Sequence, residues 1–242
     1  MDDLNVPAQV KTRMGIGIVI VVALLSCPPS LDASERAWRE LLSQVDRFYR
    51  EGRYAEGRSA AEEALGLAEQ TFGKEDPRFA QSLNRLGVLY QAQADYAEAV
   101  SLVRRALDIQ ERFLGPDHPA VASSLNTLAA IHRQQGQYGE VESIYKRTLE
   151  VWEKVFGPDH PNVAGALNNL AEFYRDQARN DEARTLFERA LQIWEKALGE
   201  GHPNVAGVLN NLAGLYRDEG DLGEAQYLLE CSLAIQEKTL RS

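Results

Sequence analysis

The stretch GPDHPNVAGALNNLA, residues 157–171, decides the fold, because its frame returns at a fixed interval along the chain. Gly73, Gly115, Gly157 and Gly199 are spaced by 42 residues, and so are Pro77, Pro119, Pro161 and Pro203. Further along each copy stand Leu83-Asn84-Arg85-Leu86, Leu125-Asn126-Thr127-Leu128, Leu167-Asn168-Asn169-Leu170 and Leu209-Asn210-Asn211-Leu212. A turn then recurs at Gly52, Ala94, Gly136, Ala178 and Gly220. Self-similarity at such a period marks a repeat array, and five turns in register predict five units.

Each unit reads as two helices. The glycine ends one helix, and proline suits the first position of the next, where its missing N–H costs nothing. Asp76 is placed to cap its helix; His118, His160 and His202 fill the same slot with a poorer capping residue. In the fourth unit Leu167, Leu170, Ala171, Phe173 and Tyr174 fall on one helical face. Ala183, Leu186, Phe187, Ala190, Leu191 and Trp194 do the same in the second helix, with alanines where helices must approach closely.

Leu170-Ala171, Tyr174, Ala183, Phe187 and Ala190 resemble the signature positions of the tetratricopeptide repeat, over roughly residues 36–242. The longer period and the Gly-Pro-Asp-His-Pro linker are similar to the kinesin-light-chain type of that repeat. The expected fold is all-α, a right-handed superhelical solenoid of five helix-turn-helix units. The units run about 36–73, 77–115, 119–157, 161–199 and 203–242, after a signal or anchor at 1–27 and a linker at 28–35. The first unit departs from the pattern, with Gln44 in place of the second leucine, as befits an N-terminal cap.

Positions that repeat without being apolar are the candidate site. Asn84, Asn126, Asn168 and Asn210 lie off the buried stripe, and seven residues on stand Gln91, Arg133, Arg175 and Arg217. Asn169 and Asn211 widen the stripe in the last two units. The resemblance implies that first helices line a concave groove and that the matching asparagines reach a bound peptide's backbone. An amide offers donor and acceptor together, and arginine a planar fork suited to carboxylate. The expected ligand is therefore an extended protein segment, acidic ones preferred. The competing reading is that Arg175 and Arg217 pair with neighbours such as Glu172, Asp176 or Asp218 and brace the stack.

At the N-terminus Lys11 and Arg13 precede an apolar run from Met14 to Leu25, followed by Ser26, Cys27 and two prolines. A basic flank, a short apolar core and small residues form an export signal. Leu24-Leu25-Ser26-Cys27 resembles a bacterial lipobox, which would make Cys27 a lipidation site. An uncleaved anchor, or cleavage after Ala33 to a secreted form, are the alternatives. All three place the bulk of the chain outside the cytoplasm, and the lipoprotein and the anchored form place it in the cell envelope.

The formal charge is −10 over 242 residues, which argues against nucleic acid as partner. One histidine per unit cannot converge on a metal, since units stack about 10 Å apart. Ser143 and Lys146 have the spacing of a serine acyl enzyme but sit inside a repeat helix without the accompanying motifs. No phosphate loop or nucleophile elbow occurs, so neither catalysis nor a cofactor is expected. The expected function is an envelope-tethered scaffold or adaptor. The alternative is a homo-oligomeric assembly protein using Leu228, Leu229, Leu233 and Ile235 at the last helix.

Overall fold

The computed structural model describes residues 31–240, so the segment carrying Cys27 lies outside the described residues. Ten helices follow one another: α1 (Leu31–Arg50), α2 (Tyr54–Phe72), α3 (Pro77–Ala92), α4 (Tyr96–Leu114), α5 (Pro119–Gln134), α6 (Val141–Phe156), α7 (Pro161–Asp176), α8 (Asn180–Leu198), α9 (Pro203–Glu219) and α10 (Leu222–Leu240). They pair into five antiparallel hairpins, and the architecture is an all-α solenoid. Among the described residues no helix is long and apolar enough to cross a membrane.

The repeated glycines and prolines set the helix boundaries. Gly73, Gly115, Gly157 and Gly199 adopt φ of 84 to 87° with ψ of 153 to 165°, a region essentially closed to residues with a Cβ. Proline then opens α3, α5, α7 and α9. Asp76 accepts from the Arg78 N–H at 2.8 Å, and the histidines cap through a different atom at slightly greater distance. Nδ1 of His118, His160 and His202 accepts from the N–H of Ala120, Asn162 and Asn204 at 3.1, 3.2 and 3.1 Å. A histidine ring nitrogen thus fills the capping slot that a carboxylate oxygen fills at Asp76.

One boundary corrects the sequence reading. Residues 31–35, expected to belong to a linker at 28–35, are helical, so the first helix already covers them. An Asp32–Arg36 ion pair four residues apart closes this turn at 2.8 Å, and Ser34 is buried within it.

No hairpin buries its apolar stripe alone. Fully buried alanines at 61, 64, 68, 99, 106, 183 and 190 let helices cross closely. One apolar cluster runs from Ala129 through Tyr145, Leu167, Phe187 and Leu209 to Leu228, joining the last three units. The backbones of first helices in successive units come close to each other, whereas those of second helices come close only to first helices and meet one another through long side chains such as Arg147 and Glu111. The first helices therefore form the inner row of the curve, and their free faces form the candidate site.

Candidate functional site

Neighbouring first helices are staggered by one residue, so a side chain meets the position 43 residues later. Asn169 Nδ2 donates to Asn126 Oδ1 at 2.8 Å, and Asn211 Nδ2 donates to Asn168 Oδ1 at 2.9 Å. Gln91 donates to Gln134 at 3.1 Å in the same register. Glu172 ties two rungs together, accepting from Asn168 at 2.8 Å and from Asn211 at 3.2 Å. These amides therefore brace adjacent units as well as facing the groove. Each amide has two donor hydrogens and a two-lone-pair acceptor, so a single rung leaves the Asn126 NH2 and the Asn169 carbonyl available. Both residues line an open groove of about 260 Å³ with Ser123, Asn162 and Asn204.

Asn84 differs from its equivalents. Thr127 occupies its partner position and donates instead to the Ser123 carbonyl. Asn84 is 6% exposed and its Oδ1 is buried without a donor. It lines a groove of about 340 Å³ between α3 and α5, with Gln81, Arg85, His118 and Ser123.

The arginines divide by partner. Arg133 pairs with Glu172 at 2.7 Å and Asp176 at 3.3 Å. Burial opposes its charge, but these carboxylates outweigh it and raise its pKa. Arg175 reaches only the Asn211 carbonyl, at 3.4 Å, because Gly214 stands where Glu172 stands one unit earlier. Arg217 is 70% exposed, with Asp218 at 3.6 Å, and Asn210 is exposed beside it. Arg133 thus braces the stack, while Arg175 and Arg217 face the groove with little or no neutralisation.

A basic recess at the opposite end was not singled out from the repeat pattern. Arg39, Arg50, Arg78 and Arg85 meet Glu35 and Asp46 around about 530 Å³ between α1 and α3. Arg85 and Asp46 pair at 2.7 Å, and Arg78 reaches Asp76 at 2.8 Å and Glu35 at 3.3 Å. Four guanidiniums against three carboxylates, Asp76 included, leave a single positive charge. Arg78 and Arg85, seven residues apart on one helix face, were the available signal.

The remaining polar positions are structural. Tyr174 is buried and donates to Glu142 at 3.0 Å. Lys146 and Arg179 also hold Glu142, each at 2.8 Å, and the three bonds keep its carboxyl down at about 2 against its burial. Burial pushes the Tyr145 hydroxyl up to about 12. Lys146 is committed to Glu142 while Ser143 donates to the Glu140 carbonyl, so the two make no acyl-transfer pair. Among the described residues no group of histidine, cysteine and carboxylate side chains could hold a metal.

The tetratricopeptide repeat profile matches residues 47–112, 78–154, 126–172 and 162–238, most of the chain. The chain belongs to the tetratricopeptide repeat family. Its structure is similar to that of a kinesin-light-chain candidate from Podosopora anserina with nearly identical TPR-like repeats. That match has 29% identity and a TM-score of 0.62 over 84% of this chain and 97% of the other. It is also similar to BtubC (BKLC) from P. vanneervenii, with 24% identity and a TM-score of 0.66 over 86% and 90%. A third likeness is to the Rap conjugation gene regulator of the plasmid pLS20, solved with the Phr* peptide. There identity is 16% and the TM-score 0.69 over 81% of this chain and 52% of the regulator, a likeness of fold. None of the curated proteins compared matches the sequence.

Proposed function

We propose that this repeat array is an adaptor that holds an extended protein segment along its inner face, with acidic segments preferred. The observation that carries this reading is Asn84, whose buried Oδ1 has no donor although it borders an open groove. Once the amide turns toward the groove, a backbone N–H from a strand laid there supplies that missing bond. Unspent amides at Asn126 and Asn169 continue the track, and Arg175 and Arg217 favour carboxylates at its far end. The Rap regulator, which shares the fold, was solved with a peptide.

The test is fluorescence anisotropy against a library of labelled acidic and neutral ten-residue peptides. Asn84→Ala and Arg217→Ala together should weaken the best acidic binder by about tenfold or more, the loss of one to two hydrogen bonds, with thermal unfolding unchanged. Unchanged affinity in that variant refutes the inner-face assignment.

The adaptor is further proposed to be tethered in the cell envelope, a reading that rests on Lys11, Arg13, the apolar run and Cys27. Cys27→Ser should release the protein from the membrane fraction and abolish palmitate labelling; unchanged labelling refutes lipid attachment at Cys27. A second reading, self-association, is favoured by Leu222, Leu229 and Leu233, all at least half exposed on α10. Sedimentation velocity over a concentration range separates the two.

A further inference from the structure

Two ion pairs recur where one unit meets the next on the second-helix side, and the last junction lacks both. In the inner pair, Arg147 reaches Glu111 at 2.9 Å and Arg189 reaches Glu153 at 2.7 Å. Each guanidinium also approaches the linker carbonyl of Pro116 or Pro158, at 3.4 and 3.3 Å. In the outer pair, Arg112 meets Glu75 at 2.7 Å, Lys154 meets Asp117, and Lys196 meets Asp159 at 2.7 Å. Counting 42 residues on from Arg189 gives Cys231, and from Asp159 gives Gly201. Gln192 becomes Ala234 in the same step. Three larger polar side chains are replaced by smaller ones around one point.

The result is an open recess of about 540 Å³ between α8, α9 and α10. Its floor includes Val205, Leu209, Leu228 and Ile235, and Glu195 and Glu200 stand on one wall. Glu195 corresponds to Glu111 and Glu153, but among the described residues no cation meets its carboxylate. Its pKa is raised, by burial first and then by Glu200 beside it. The backbone that presents the linker carbonyl is kept: Gly199 and His202 repeat the angles found at the preceding linkers. Lys238, which has lost its aspartate to Gly201, sits at the rim, so the walls keep one net negative charge.

We propose that this recess receives an arginine side chain from a partner protein, its guanidinium standing where Arg147 and Arg189 stand at the preceding junctions. The molecule contains its own template for the occupant. A carboxylate and a linker carbonyl, both engaged by arginine at two earlier junctions, stand here without one, above an apolar floor that suits a methylene stem. Guanidinium matches this set by its planar fork, which an ammonium lacks. The recess is apart from the inner face, so the inference stands or falls independently of the groove.

The experiment uses the full chain and acetyl-leucyl-arginyl-leucinamide as probe. The readouts are calorimetry and the alkylation rate of Cys231, followed by mass spectrometry of its peptide. The arginyl peptide should bind saturably and slow alkylation by about fivefold or more, while the citrullyl peptide, its neutral isostere, should bind about tenfold more weakly or not at all. Glu195→Gln should remove the protection with circular dichroism unchanged. Cys231→Arg should fill the recess from within, raising Tm and abolishing peptide binding. Asn84→Ala should leave all of this intact. Equal binding of the citrullyl peptide, tight binding to the Cys231→Arg protein, or no binding by the parent overturns the proposal. Free arginine binding as tightly as the peptide would instead mark a small-molecule site and overturn the partner assignment.

Discussion

Phe187 and Leu229 occupy the same position of consecutive units, 42 residues apart, in opposite environments. Phe187 is 0% exposed and packs in one cluster with Val208, Leu209 and Leu212 of the next unit. Its earlier equivalents Ala61, Val103 and Tyr145 are likewise buried, whereas Leu229 is 50% exposed. Phe187→Ala removes a ring from a closed core and leaves a cavity between two units, a loss of about 3–5 kcal/mol. Leu229→Ala removes a side chain of which half already meets water, and no cavity forms, so about 1 kcal/mol is expected. The difference should be at least about 2 kcal/mol, well above the error of urea unfolding followed by far-UV circular dichroism. Repeat arrays can unfold in steps, so amide exchange should accompany the melt and place the Phe187→Ala loss at the α8–α9 interface. A Phe187→Ala cost no larger than about 1 kcal/mol would refute the argument that burial between units stabilises this array. A Leu229→Ala cost near that of Phe187→Ala would mean that another surface covers α10.

Three further outcomes follow from local geometry. Ala178 holds a left-handed φ of 57° where three other units place glycine, so Ala178→Gly should raise stability by about 0.5–1 kcal/mol in urea melts. Glu142 titrates at about 2 when folded, below its ordinary 4.5, so its contribution is complete above about pH 4.5 and lost as pH falls toward 2. With a third of the side chain exposed, screening reduces this to about 1 kcal/mol, and Glu142→Gln should flatten that limb of the acid-stability curve. Gly214→Glu should restore to Arg175 the partner that Glu172 gives Arg133, since its new Cβ meets only the movable Arg175 guanidinium, at 2.8 Å. The variant should melt at a higher temperature and bind the best acidic peptide about tenfold more weakly, both read on one preparation.

The period of 42 was sufficient for the fold, because each boundary rests on a local rule. Gly157 must adopt a backbone region barred to other residues, and Pro161 can only begin a helix. The helicity of residues 31–35 was less legible, since no Gly-Pro linker marks a boundary there and the Asp32–Arg36 pair is a weak local mark. The inner-face stripe was legible as a set of residues but not as a set of partners. A repeat of 42 aligns Asn126 with Asn168, whereas the stagger of touching helices pairs Asn126 with Asn169. The replacement of an arginine by Cys231 was visible in the alignment of copies. Its consequence at Glu195 was not, because Arg189 and Glu153 lie 36 residues apart, in different units.

The groove's charge is set by differences between neighbouring copies rather than by the residues that repeat. Arg133, Arg175 and Arg217 are one position of the repeat, yet only Arg133 is fully neutralised, by Glu172 and Asp176 of the following unit. Replacing that glutamate by Gly214 exposes Arg175 without any change at Arg175 itself. The same logic acts at Glu195, where a change one unit later leaves a carboxylate unpaired. Each unit serves as the ionic partner of the one before it, so a substitution that removes a brace also creates a free group on a face already held by backbone packing. Binding specificity in such an array can then change by single residues at low cost in stability, because the apolar contacts between units are untouched.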